Sequence, residues 1–169
     1  MRDGEPAQAR RVPLTILLMG EVLALPHRFF DEFRYGRRKF LSALAVVGLL
    51  SLARVASWRS PFVLLDPPAH WLLCSVVLGL LRGGRVHRLE PSTLSGLCMT
   101  PALAGELAYL ISGEFWIRLA GWIWTGALMS VGALKSLRLG PAESAVAFAL
   151  GVLGSTWVRR ATAEALGLI

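Results

Sequence analysis

The chain has 169 residues, 54% of them hydrophobic and 17% charged, with a mean hydropathy of +0.56 and a formal net charge of +7. A soluble domain is typically about 45–50% apolar and about 25% charged, so the apolar excess, gathered here in blocks, points to lipid as the solvent for those blocks and leaves no polar stretch long enough for a separate soluble domain. The basic balance argues for headgroups rather than nucleic acid, because Arg and Lys gather at the ends of the apolar runs, and the two cysteines, Cys74 and Cys98, sit inside apolar runs as small hydrophobes, suggesting neither a disulfide scaffold nor a metal site.

Residues 1–11 are polar, carry Arg2, Arg10 and Arg11, and read as a disordered arm. Residues 12–25 are apolar but interrupted by Glu21, and too short to cross a hydrocarbon core of about 30 Å, which takes about 20 helical residues. They predict an interfacial helix or a strip lying against the bundle, ended at Leu25-Pro26 because the residue before a proline avoids the helical region. In residues 27–39 the spacing of Phe29, Phe30 and Phe33 places three rings on one helical face, with Asp31, Glu32 and Arg34 on the other. That pattern predicts an amphipathic helix with its aromatic side in the lipid, a short connector being the alternative.

The first span is expected at 40–57, with Arg54 near its far end and able to snorkel to the headgroups. Residues 58–68 form a loop whose Pro67-Pro68 pair opens the next helix, and 62–65 read as a re-entrant or interfacial piece. The second span, 69–81, is short and is followed by a basic loop at 82–88. The third is expected at 93–111 and the fourth at 115–134. After a tight turn at 135–141 the fifth runs over 142–158, ending at Arg159-Arg160 before a short tail, 161–169. The expected fold class is therefore all-α: a polytopic membrane helical bundle of about five transmembrane helices, residues 40–160, preceded by a cytoplasmic arm and an N-terminal interfacial amphipathic helix within 1–39.

Counting Lys and Arg gives the orientation. With the N-terminus in the cytoplasm, thirteen of the eighteen basic residues fall inside and five, Arg54, Arg59, Arg118, Arg159 and Arg160, fall outside. The positive-inside bias thus favours N-in and C-out with five spans, with Arg159-Arg160 as the dissenting pair; four spans, with one candidate, the short second one first, merely dipping into the bilayer, would put that pair inside. Arg37-Arg38 ahead of an apolar run also has the look of a twin-arginine export signal. That reading is disfavoured because the downstream sequence is itself membrane-spanning rather than a foldable exported domain.

Glu106 is the sharpest candidate for chemistry. A carboxylate near mid-bilayer costs about 2.5 kcal/mol or more, so it should face the bundle interior or sit neutral, bonded to a neighbour such as Thr125 or Ser130. Pro101, five residues earlier, frees a carbonyl near Leu97 and kinks the helix. A kink beside a carboxyl group suits ion or proton passage; fixing helix packing is the alternative role. Glu114 and Arg118 are spaced i, i+4 and are expected to pair on the helix surface. Ala147, Gly151 and Ser155 on the fifth span, and Gly126 and Ser130 on the fourth, have the four-residue spacing of small residues that lets another helix approach closely. Phosphate-cradling loops, HExxH and paired carboxylates on one helix are not found. No catalytic residue, cofactor, metal or nucleic-acid partner is expected.

Three stretches carry a resemblance. Leu23-Ala-Leu-Pro26 followed by Phe29-Phe30 comes just before the first span, SGLCMTP at 95–101 opens the third, and residues 123–132 lead through a short turn into an Ala-rich last helix. In these the chain resembles the Yip1 family of small five-span membrane proteins, over most of residues 20–158. The resemblance implies a helical bundle with no catalytic residues to carry over. Eukaryotic members take part in vesicle traffic and contact prenylated small GTPases, but their DLYGP-type signature is absent here, and a prokaryotic-type member in the plasma membrane is the better match. The leading expectation is a membrane organiser or partner-binding component, whose partners are the lipid bilayer and a membrane protein or a second copy of the chain. The alternative is a small oligomeric transporter or channel with Glu106 lining the path.

Overall fold

The computed structural model describes residues 14–31, 33, 35–83 and 89–166, which are helical almost throughout and contain no strand. The polar arm at 1–11 and most of the basic loop at 82–88 lie outside the described residues, as does the end of the tail. The helices are α1 (Leu14–Ala24), α2 (Pro26–Asp31), α3 (Arg37–Trp58), α4 (Asp66–Leu81), α5 (Glu90–Cys98), α6 (Thr100–Ser112), α7 (Phe115–Gly132) and α8 (Pro141–Ala165). A 3-10 turn, Pro61–Leu65, runs directly into α4, and a π turn, Ala133–Leu137, ends α7.

Four segments among the described residues are long and apolar enough to cross a membrane: Arg37–Trp58, Pro61–Leu81, Glu90–Ser112 and Phe115–Leu137. α8, where the fifth span was expected, is not one of them, because it carries fewer strongly apolar residues among its Ala, Gly, Ser and Thr. It is also longer than expected, continuing through Arg159-Arg160 to Ala165. α8 nevertheless lies antiparallel along the whole of α4: Asp66 meets Arg159, His70 lies beside Gly151, and the Cys74 thiol donates to the Ala147 carbonyl at 3.3 Å.

Local chemistry explains where the helices break. Pro67 and Pro68 sit in the first turn of α4, where a missing N–H breaks no helical bond, so the helix begins at Asp66 rather than at 69. The 62–65 piece is that helix's 3-10 lead-in. The third span is two helices bent at Met99, one residue before the Thr100-Pro101 pair. The proline cannot donate to Leu97, and the Thr100 hydroxyl donates to that carbonyl instead, at 2.7 Å. Gly113 ends α6 in the left-handed conformation (φ 73°) that glycine adopts without penalty.

The expectation for residues 27–39 needs correction. They do not form one amphipathic helix: α2 stops at Asp31 and α3 starts at Arg37. Phe29, Phe30 and Phe33 turn into the protein, not outward to lipid. They pack on one another, with Phe30 against Gly132, and close one end of the bundle together with Leu94, Met129 and Leu137. Lys39 lies over two of the rings, 5.5 Å from the centre of Phe29 and 5.0 Å from that of Phe33. A second core, Val46, Leu50, Trp71, Met99 and Leu103, fills the middle of α3, α4 and the α5–α6 bend. The outer faces are apolar as well, with Leu52, Leu80, Ile123 and Leu153 all more than 60% exposed.

Candidate functional site

The end of the bundle opposite the phenylalanine plug holds five charges in a chain. Glu106, on α6, has no solvent exposure. Its Oε2 lies 3.1 Å from Arg118 Nε of α7 and its Oε1 3.6 Å from Arg54 Nε of α3, and the Ser57 hydroxyl donates to Oε2 at 3.0 Å. Arg54 reaches onward, its Nη1 3.4 Å from Asp66 Oδ2 at the start of α4, and Arg159 Nη1 of α8 reaches the same oxygen at 3.3 Å. The order is Arg118, Glu106, Arg54, Asp66, Arg159, with the signs alternating, and it ties α3, α4, α6, α7 and α8 together.

Rings wall the guanidinium groups. Arg118 lies 3.7 Å from the centre of the Tyr109 ring and 5.1 Å from that of Trp58; Arg54 lies 5.4 Å from Trp122 and 5.9 Å from Trp58. Guanidinium suits this setting because it is weakly hydrated and stacks on aromatic faces. A charge taken out of water costs several kcal/mol unless it is paired, which is why the buried carboxylate draws two arginines. The pairing is electrostatically close but incompletely hydrogen-bonded. Arg54 Nε, Asp66 Oδ1, Glu106 Oε1 and Arg118 Nη2 are buried with no hydrogen-bond partner.

Several sequence expectations are corrected here. Glu106 is not an isolated carboxylate bonded to Thr125 or Ser130. Thr125 donates to its own helix at Gly121 and accepts the Ala102 N–H beside the Pro101 kink, and Ser130 donates to Gly126. Arg118 turns to Glu106 rather than to Glu114 on the surface, and Arg54 turns inward, its side chain 13% exposed, instead of snorkelling out. Pro101 itself lies fully within the α6–α7 contact, its carbonyl the nearest neighbour of Gly121.

Ala147, Gly151 and Ser155 are buried on one side of α8, and Gly151 sits so close to α4 that a methyl group there would run into Cys74 and come within 2.8 Å of His70. Gly126 faces the Phe148 ring, where a Cβ would make ordinary contact at 3.4 Å. The tightest approach of a glycine to another helix's backbone is at Gly121, which with Gly105 was not singled out from sequence: a Cβ on Gly121 would meet the Pro101 carbonyl oxygen at 2.6 Å and Gly105 Cα at 3.1 Å. The residues that sequence reasoning missed at the charged end are Asp66 and Arg159. The available signal was their polarity at the ends of apolar helices.

Between α3, α4, α7 and α8 the charged chain borders a half-open cavity of about 390 Å³. Arg54, Asp66 and Arg159 form its polar end, and Trp122, Ile123, Phe148 and Val152 its apolar walls. Among the described residues no three of His, Cys, Asp and Glu cluster as a metal site would require. Comparison with protein-family models, curated proteins and solved structures returns no match.

Proposed function

We propose that the chain is a five-span integral membrane protein, N-terminus in the cytoplasm, of the prokaryotic Yip1-like kind, and that it works by binding rather than by catalysis or conduction. The observation that carries this reading is the state of Glu106. A carboxylate with no exposure, held between two arginines and a serine, fixes helices in place. A conduction site needs a group that water or ions can reach, and the transporter alternative would require this ion pair to open. α8 is taken as the fifth span because it follows α4 from end to end in spite of its lower hydropathy. The orientation gains support from the same network: Arg54, Arg118 and Arg159, three of the five arginines assigned outside, share the carboxylates of Asp66 and Glu106, which offset two of their three charges. Organising a membrane through a protein partner or a second copy remains the biological role that the resemblance implies.

Two measurements test this reading. Single cysteines at positions 4 and 166, in a background without Cys74 and Cys98, should label from opposite sides of intact cells; labelling from the same side removes the fifth span. Reconstituted wild type should carry no more ion or proton flux than empty vesicles, and flux abolished by Glu106→Gln would establish the transporter instead.

A further inference from the structure

The cavity at the charged end has the two properties of a lipid site. We propose that it holds one anionic phospholipid, with the head phosphate on Arg159 and Arg54 and an acyl chain against Trp122, Ile123 and Phe148. This rests on the membrane reading above and adds a ligand to it.

The first property is charge. The network contains three guanidinium groups, of Arg54, Arg118 and Arg159, against the two carboxylates of Asp66 and Glu106. One positive charge is therefore left over in a setting where every charge is costly, and a single phosphate would balance it. Arg54 lines the cavity beside Asp66, and Arg159, which keeps a side-chain exposure of 34%, lies at the open rim.

The second property is the direction of the walls. From Arg159 back to Phe148 is eleven residues along α8, a depth of about 16 Å at 1.5 Å per residue. Over that distance the lining changes from charged to mainly apolar, with the His70 ring set between Trp122 and Phe148. The groove lies where α8, packed closely on α4, leaves α7 less covered, with Phe148 against Gly126 at one contact between the two. Ile123, on its edge, is 65% exposed, so the groove faces the space that lipid tails would occupy. A volume of about 390 Å³, at the low end of the range of about 300–1,000 Å³ for ligand pockets, suits a headgroup and the upper part of one chain. A soluble anion would use the arginines and leave the apolar wall empty, and a neutral lipid would leave the charge unmatched.

The test is native mass spectrometry of the full chain released from vesicles containing equal amounts of phosphatidylglycerol and phosphatidylcholine with the same acyl chains. The expected result is one phosphatidylglycerol retained per protein, in preference to phosphatidylcholine. Arg159→Gln should lower that preference about five-fold, the worth of one basic residue near a charged surface, and Arg159→Lys should largely restore it. Val152→Trp, which fills the groove and leaves the charges in place, should lose the retained lipid while keeping the wild-type melting temperature. Equal retention of both lipids, or retention unchanged in both Arg159→Gln and Val152→Trp, would overturn the proposal, and so would displacement of the lipid by inorganic phosphate alone. Alkaline carbonate extraction separates the two levels of failure. A protein that washes off the membrane defeats the membrane reading as well, whereas an integral protein without lipid preference defeats the lipid site alone.

Discussion

Replacing Glu106 by Gln keeps the shape of the side chain and removes its charge. The structure makes the consequence large. Wild type has three arginines facing two carboxylates in this network; the variant has three facing one, Asp66, which lies beside Arg54 and Arg159 and not beside Arg118. Arg118, with its side chain 9% exposed, would then have only the rings of Tyr109 and Trp58 to offset its desolvation. Removing one partner of a buried ion pair costs about 3–5 kcal/mol. For a chain of this length that corresponds to a melting temperature lower by roughly 6–20 °C. The assay is thermal unfolding of the purified protein in detergent, followed by circular dichroism. The double variant Glu106→Gln, Arg118→Met supplies the control: it removes the stranded cation along with its partner, so it should be more stable than the single variant. A Glu106→Gln protein within about 1 kcal/mol of wild type, well short of the loss expected for a broken buried pair, would refute the reasoning. So would a double variant whose loss equals the sum of the two single losses, because uncoupled residues add.

Other consequences of the packing can be measured in the same way. Gly121→Ala should cost about 1–3 kcal/mol, because its methyl group meets the Pro101 carbonyl and Gly105 backbone, which cannot swing aside. Gly126→Ala, facing only the Phe148 ring at ordinary contact distance, should stay near wild type; parallel melts of the two variants check the contrast. Thr100→Val removes the hydroxyl that satisfies the Leu97 carbonyl at the kink and should cost about 0.5–1.5 kcal/mol, the net worth of a typical intramolecular hydrogen bond. Cys74 and Cys98 are both fully buried, so a maleimide should label neither thiol in the folded protein and both after unfolding in dodecyl sulfate, with intact mass as the readout.

Much of the fold is legible in the sequence because lipid is an undemanding judge of composition. The apolar blocks at 40–57, 93–111 and 115–134 fall inside three of the four long apolar segments of the structure, and the break at Leu25-Pro26 and the bend at Pro101 fall where a missing N–H puts them. The phenylalanines at 29, 30 and 33 show where this stops. Their spacing gives a hydrophobic face, and nothing in the spacing says whether lipid or protein covers it. The contacts with Gly132 and Leu94 that decide the matter come from residues more than 60 positions away.

The charged cluster marks the same division. By itself the sequence determined that this is an all-helical chain with apolar segments long enough to cross a membrane, that Glu106 sits in one of them, and that a proline bends the same segment, because each of these follows from residue type and local spacing. Only the tertiary structure decided what Glu106 faces. Arg54 and Arg118 are 52 and 12 residues from it, and Asp66 and Arg159 are 93 residues from each other. Such pairs are selected by the cost of leaving a buried charge unmatched, and that cost is set only when the helices carrying the charges come together.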